Sequence, residues 1–515
     1  MAFDTSVACA QQVSPLLARC LTAGPDPNLH GWSGRPKRLA YCDPITLIRL
    51  MHSTTVAPRP VSRRPLANAA LRLNLDPLRG ALFVLMVFSV SRLHQYHPLL
   101  ASLRPLLLLV AFTGLYAFLN PGKIAAENLQ LKPPRQVMAI AVWACLSAPF
   151  GISLGGSAKY ILDEFSKAIL LCLIVMVAIR NSRDLLTIIW GYVAGCAVLS
   201  FFSLFVFGMK KAADSDVARL QGGMATFDAN DVGLVLLIGL ALSLLTYQIS
   251  GKRGRLVSGF TILGIGGALA RSGSRGAFVG LVAFGIGLMV MLRSVPITKR
   301  LGFMFATLLG LVIAAPSGYW DQMSTLASPT KDYNWSATDG RKAVAERGLG
   351  YMLGYPLFGL GINNFWRAEC FMSDKAVNRV VGTGIRCTPP HNSYLQAGAE
   401  TGIPGFLLWT TLVFTGITGG NRLRKRLPKT WERGDPEQRF LYFASMYLPL
   451  AMISFAVTSF FLTFAWVDMV YMVTAMITGL YACVAAKLPN LQPGVSRALQ
   501  RGRMTKRGRP LPSAP

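Results

Sequence analysis

His391-Asn392-Ser393-Tyr394-Leu395 closes a long polar stretch just ahead of an apolar segment, and Glu400, Gly402 and Gly405 follow it. An imidazole titrates near neutral pH, so His391 is a candidate to accept and release a proton. Three arginines could hold an anion for it. Arg219 precedes Asp228 and Asn230, and Arg271 and Arg275 flank Ser272-Gly273-Ser274. A guanidinium is permanently charged and grips phosphate oxygens through two parallel hydrogen bonds. The small residues around Arg271 and Arg275 leave room for a bulky anion where a helix begins, and the helix dipole favours negative charge there. Each arginine alone reads first as structural, because exposed ion pairs are common and weak. Arg219 has Asp214, Asp216 and Asp228 as nearby partners, and one of Arg271 and Arg275 is expected to be only an interface anchor. The four residues together point to chemistry.

The surroundings of these residues are built for lipid. The 515 residues are 52% hydrophobic and 15% charged, with mean hydropathy +0.43, against about 25% charged in a soluble domain. Apolar runs near the length a bilayer requires, about 20 residues, are expected at 79–93, 103–119, 136–153, 160–179, 185–208, 231–250, 255–270, 276–293, 299–317, 402–420, 441–462 and 464–485. The fold class is therefore all-α, a polytopic transmembrane helical protein of about 12 spans. The net charge of +29 has a membrane explanation rather than a nucleic-acid one. Basic residues cluster in alternate connections and in both tails, as the positive-inside rule predicts.

That rule places 123–135, 180–183, 252–255, 293–300, 422–439 and both termini on the cytoplasmic side. Arg219, Arg271, Arg275 and His391 then share the opposite face, where arginines are depleted. The long loop 319–401 also lies outside. It enters through Tyr319 and Trp320, and it is too long to be structureless in a compact domain. Within it, Arg341, Lys342, Glu346 and Arg347 lie among apolar residues over 340–353. This pattern suits a helix that lies on the membrane or packs on the other helices. Cys370 and Cys387 fall in the same loop. They can pair if it faces an oxidising compartment, or remain two free thiols.

Residues 1–76 are rich in Pro and Arg and are expected to be a disordered basic extension. The first fifty residues lack the apolar stretch of a signal peptide, and Met51 is a second candidate start. Residues 487–515 form a basic tail expected on the cytoplasmic side. No HExxH, no CxxC and no acidic cluster in an outside loop offers a metal site.

Ser274-Arg275-Gly276-Ala277 opening a span, Pro356-Leu357-Phe358-Gly359-Leu360-Gly361-Ile362-Asn363-Asn364-Phe365, and His391-Asn392 followed by Glu400, Gly402 and Gly405 are similar, in this order, to the bacterial O-antigen ligase and O-antigen polymerase family. The resemblance covers residues 78–485. It implies a C-type membrane glycosyltransferase of the bacterial inner membrane, with a large periplasmic loop. Such an enzyme takes a glycan from undecaprenyl diphosphate and needs neither metal nor cofactor. It implies that Arg219 and Arg275 bind the donor diphosphate, for which Arg271 is a further candidate, and that His391 acts on the acceptor hydroxyl. On chemical grounds His391 is either the base of an in-line displacement with inversion at the anomeric carbon or a group that orients the acceptor or the phosphate. Asn392, Asn230, Arg341, Gly359, Gly361, Asn363 and Glu400 are supporting candidates. Nine positions at about 100° each would set Glu400 opposite His391 on an unbroken helix, so Glu400 is expected in a structural role, at a helix terminus or against an outside arginine.

The acceptor is left open by these motifs: a lipid A core for a ligase, a growing lipid-linked glycan for a polymerase, or a protein for an O-oligosaccharyltransferase. A transporter or flippase is the competing class. It would show ionisable groups at mid-membrane and related halves. The spans instead carry Asp163, Glu164 and Lys167 at the start of one and Asp468 early in another.

Overall fold

The computed structural model describes residues 76–96, 98–211, 218–220, 227–293, 295–328, 335, 340–377, 387–488 and 490. The chain divides into Met1–Val61 and Ser62–Pro515, and every described residue lies in the second unit. The expected N-terminal extension, nearly all of the C-terminal tail and parts of the 319–401 loop lie outside the described residues.

Each of the twelve apolar segments contains a helix. They are α1 (Pro77–Ser91), α2 (Pro105–Leu119), α3 (Lys132–Phe150), α4 (Leu154–Tyr160) continuing into α5 (Ser166–Ala178), and α6 (Ser182–Phe205). The series goes on with α7 (Ala229–Ile249), α8 (Lys252–Ser272), α9 (Arg275–Met291) and α10 (Ile297–Ala314). After the short helices α11 (Tyr319–Ser324), α12 (Arg341–Gly354) and α13 (Phe365–Phe371) come α14 (Ser393–Arg426), α15 (Pro436–Thr458) and α16 (Asp468–Lys487). Six of these helices, α6, α7, α10, α14, α15 and α16, are long and apolar enough to cross a membrane. Others, α1, α2 and α9, are apolar but shorter. The protein is thus helical and multi-pass. It also has a small antiparallel ribbon, β1 (Met209–Lys211) against β2 (Ala218–Leu220), in a connection expected to be loop.

Burial follows the physics of a bilayer solvent, in which backbone groups must be satisfied within helices and apolar side chains can face outward. α7, α15 and α16 run through the centre, with 83% of their apolar windows buried. α10 is on the perimeter and exposes Phe305, Leu308, Val312 and Ile313.

Contacts sort the helix ends into two groups. At one end Arg79 pairs with Asp184 at 2.7 Å, Arg180 bridges Asp184 and Asp76, Ser182 donates to Glu437, and Lys487 pairs with Glu437 at 2.7 Å. At the other end Arg92 pairs with Asp468 at 2.9 Å, Arg271 donates to carbonyls at the end of α6, and His391 is held by Thr463. The candidate residues Arg271, Arg275 and His391 all belong to this second end.

Candidate active site

Asn392 caps α14. Its Oδ1 accepts the backbone N–H groups of Tyr394 at 3.0 Å and Leu395 at 3.1 Å, the capping role that Asn fills well. The cap leaves His391 just ahead of the helix with φ 45°. A non-glycine residue in this left-handed region costs roughly 1–2 kcal/mol, so its neighbours must hold it. Thr463 Oγ1 accepts the His391 N–H at 3.0 Å. Ser393 donates to the Leu462 carbonyl at 2.8 Å and accepts the Phe464 N–H at 3.0 Å, while Gln396 accepts the Ala465 N–H at 3.0 Å. Residues 462–466 therefore run along the first turns of α14 and fix the half-buried His391 from behind.

Glu400 is buried and sits where three chain segments meet. Its carboxylate accepts the Trp466 indole N–H at 2.6 Å, the Asn363 N–H at 2.9 Å and the Phe365 N–H at 3.3 Å. The structural role expected of it placed it at a helix terminus or against an outside arginine; the partners observed are backbone amides and an indole. Helical spacing does not relate Glu400 to His391, because His391 lies before the helix starts. Two backbone bonds reinforce the same junction: Leu360 N–H donates to the Ala399 carbonyl and Ile403 N–H to the Pro356 carbonyl, both at 2.8 Å. Between them Gly402 breaks the helix with φ 71°. A side chain there would run into the Leu357 carbonyl.

The turn 359–364 is built from left-handed residues, Gly359 at 68°, Gly361 at 86° and Asn363 at 59°. A Cβ on Gly359 would meet the backbone of Thr401 and Gly402 at 2.6 Å, so only glycine lets the two segments touch. Asn364 then locks the turn to α4, donating to Ser157 Oγ at 3.0 Å and to the Leu360 carbonyl at 3.0 Å. The expected helix over 340–353 is α12, and it packs on protein: Val344 and Gly348 are buried, with Gly348 against Leu395 and Phe365. Arg347 binds the buried Glu369 at 2.6 Å. The hydrogen bond to Glu369 holds the guanidinium further into its charged range, and burial followed by Glu369 raises the neighbouring Tyr351 hydroxyl. Half-buried Arg341 opens this helix. Cys370 and Cys387 form a disulfide across 17 residues, so of the two readings the paired one holds.

The arginines differ in their bonding. Arg271 donates to the carbonyls of Leu204 and, at 3.3 Å, Phe207, which ties α8 to the end of α6. Arg275 is the first residue of α9, after the N-cap Ser274, and its Nη1 donates to Thr325 Oγ1 at 2.9 Å. Its neighbour Gly276 packs on Phe461, two residues from the Thr463 that holds His391. α9 and His391 thus share one supporting segment. Arg219 lies in β2 opposite Lys210, and the strand packs against α8. Asn230 is in the first turn of α7, its amide and side chain both turned to Asp228. Thr463, Trp466 and Thr325 were not singled out in the sequence: nothing local marks a threonine or tryptophan whose partner is tens of residues away.

The family described as O-antigen ligase (Wzy_C) matches residues 260–410, from within α8 to the middle of α14. The exopolysaccharide production protein ExoQ of Rhizobium meliloti (strain 1021) is 25% identical over 322 residues, which is 59% of this chain and 68% of that protein.

Proposed function

We propose, from the premise that residues 260–410 are a segment of the O-antigen ligase family, that this protein moves a glycan from undecaprenyl diphosphate to an acceptor hydroxyl on the outer face of the bacterial inner membrane. The observation that carries this reading is His391, held in a strained backbone conformation by Thr463 at the same end of the bundle as Arg275. Strained backbone at a site that over-determines it is a recognised mark of function.

The chemistry follows from the donor. The acceptor oxygen bonds to the anomeric carbon as the bond from that carbon to the diphosphate oxygen breaks, which inverts the configuration. The acceptor proton passes to His391, and the lipid diphosphate leaves as an anion. Arg275 and Arg219 stabilise the charge growing on the bridging oxygen, which is where preorganised cations act most strongly. Arg271, four residues before Arg275, anchors α8 to the end of α6. The family name favours a ligase acting on lipid A core. The ExoQ relative favours a second reading, in which the acceptor is a growing glycan and the product a polymer.

His391→Ala and Arg275→Ala are expected to reduce transfer at least 10²-fold, the lower end of a general base's contribution, with normal amounts of protein in the membrane. Full activity in either variant removes that residue from the mechanism. Deletion of the gene separates the two acceptors. Lipid-linked polymer that accumulates unattached to lipid A core indicates a ligase, and single repeats still attached to core or secreted indicate a polymerase.

A further inference from the structure

Beside the His391 cluster, at the same end of the bundle, lies a cavity of about 630 Å³ that His391 does not line. This is within the range of roughly 300–1,000 Å³ typical of small-molecule sites. Its lining includes the aromatic rings of Trp466, Phe227 and Tyr160 beside aliphatic Leu106, Leu107 and Leu171. Its charges are balanced: Arg92, Arg104 and Lys167 face Asp163, Glu164 and Asp468. Part of that set is already paired, since Arg92 binds Asp468 at 2.9 Å and stacks over Phe227 at 4.9 Å, and Lys167 lies 3.7 Å from Glu164.

Three features mark the cavity as built rather than left over. Arg92 has φ 51° and Arg104 φ 45°. With Asn363 and His391 they are all the left-handed non-glycine residues among the described ones, so every such position lies either at the proposed active site or here. Asp163 and Glu164 sit in a π-helical turn, Ile161–Phe165, an irregularity frequent at functional sites. His94 lines the cavity with a buried Nδ1 that has no hydrogen-bond partner among the described residues. Burial, and then Arg92, pull its pKa down to about 4. The imidazole is therefore neutral at pH 7 and ready to accept a hydrogen bond.

Balanced donors and acceptors around aromatic surface exclude a strongly anionic ligand, which Asp163, Glu164 and Asp468 would repel, and equally a cationic one. They suit a neutral polyol. Trp466 also connects the cavity to the transfer site: it donates to Glu400, and Thr463, three residues before it, holds His391. Three residues of chain span at most about 11 Å.

We infer that this cavity is a saccharide subsite that holds a neutral sugar unit of the glycan next to His391. The inference rests on the glycan-transfer reading and deepens it. The sugar belongs either to the donor glycan or to the acceptor.

The test uses the full chain in nanodiscs and, as probe, oligosaccharides released by partial acid hydrolysis from the producing cell's own surface polysaccharide. Arg104→Gln and Asp163→Asn are exposed at the rim and leave the core packing intact. Each is expected to weaken oligosaccharide binding about tenfold, as loss of one charge-assisted hydrogen bond would. Inhibition by undecaprenyl diphosphate should stay at the wild-type level. In turnover assays a raised KM for the lipid-linked donor assigns the sugar to the donor, and a raised KM for the acceptor assigns it to the acceptor. Wild-type binding and wild-type KM values in both variants overturn the inference, as does a loss of affinity confined to undecaprenyl diphosphate. Binding is read without turnover, so a fully active His391→Ala would refute the proposed base and leave the cavity result standing.

Discussion

Glu400 offers a calculation that the structure makes specific. Its two oxygens accept three donors: Oε2 takes Asn363 N–H and Trp466 Nε1–H, and Oε1 takes Phe365 N–H. Glu400→Gln can keep its single carbonyl oxygen in the Oε2 position and so retain the two shorter bonds. Its NH₂ then faces the Phe365 N–H, donor against donor, and one buried donor is left unsatisfied at a cost of about 1–3 kcal/mol. Glu400→Ala orphans all three and opens a void besides, so its cost should exceed roughly 3 kcal/mol even with incomplete additivity. Thermal unfolding in detergent should rank wild type above Glu400→Gln above Glu400→Ala. Glycan transfer should fall further than stability does, because the 359–365 turn and the 462–466 segment lose their common anchor. A misplacement of about 1 Å at a reacting group is worth up to 10²-fold. Trp466→Phe removes one donor together with its demand. The double-mutant cycle of Glu400→Ala with Trp466→Phe should therefore show coupling of about 0.5–3 kcal/mol. Unchanged unfolding and activity in Glu400→Ala, or zero coupling in that cycle, would refute the anchoring argument.

The Cys370–Cys387 bridge closes 17 residues, and a loop of that size is worth about 3 kcal/mol of unfolded-chain entropy. Reductant should lower the melting temperature of the wild type and leave a Cys370→Ser/Cys387→Ser variant unmoved. His94, packed beside Arg92 and Asp468, has a folded pKa of about 4 against 6.5 for a free imidazole. The unfolded chain therefore binds the extra proton between those values. Stability should be complete above pH 6.5 and fall as pH drops towards 4, by an upper bound of roughly 3 kcal/mol. Unfolding measured across that window in His94→Gln should show a shallower slope than the wild type.

What the sequence made legible was local in origin. Each long apolar run became a helix because its own hydrogen bonds and its own hydropathy suffice. Asn392 belongs to a motif, yet it is also a helix cap, so α14 begins at Ser393, nine residues before the span expected from Gly402. The pairing of distant residues was not legible. Glu400 meets donors 35, 37 and 66 positions away, and no periodicity reports such contacts. Arg92 and Arg104 carry a signal like that of Arg271 and Arg275: they are arginines at the ends of the expected spans 79–93 and 103–119, on the side that the positive-inside rule assigns to the outside. In the sequence Asp163, Glu164 and Lys167 stand at the start of one span and Asp468 early in another, and only the fold gathers them around one cavity.

The junction between the 356–363 turn and the start of α14 also limits how this chain can change in length. Bonds from Leu360 to Ala399, from Ile403 to Pro356 and from Asn363 to Glu400 fall within a few residues on each strand of the contact. One residue inserted between 356 and 363, or between 399 and 403, would change the spacing on one side of the contact only, so the three bonds could no longer form together, and no single substitution would restore them. Insertions and deletions that respect the active site must therefore fall elsewhere in the 319–401 loop. A glycan specificity reshaped by loop length would have to be gained there, around a junction whose spacing stays fixed.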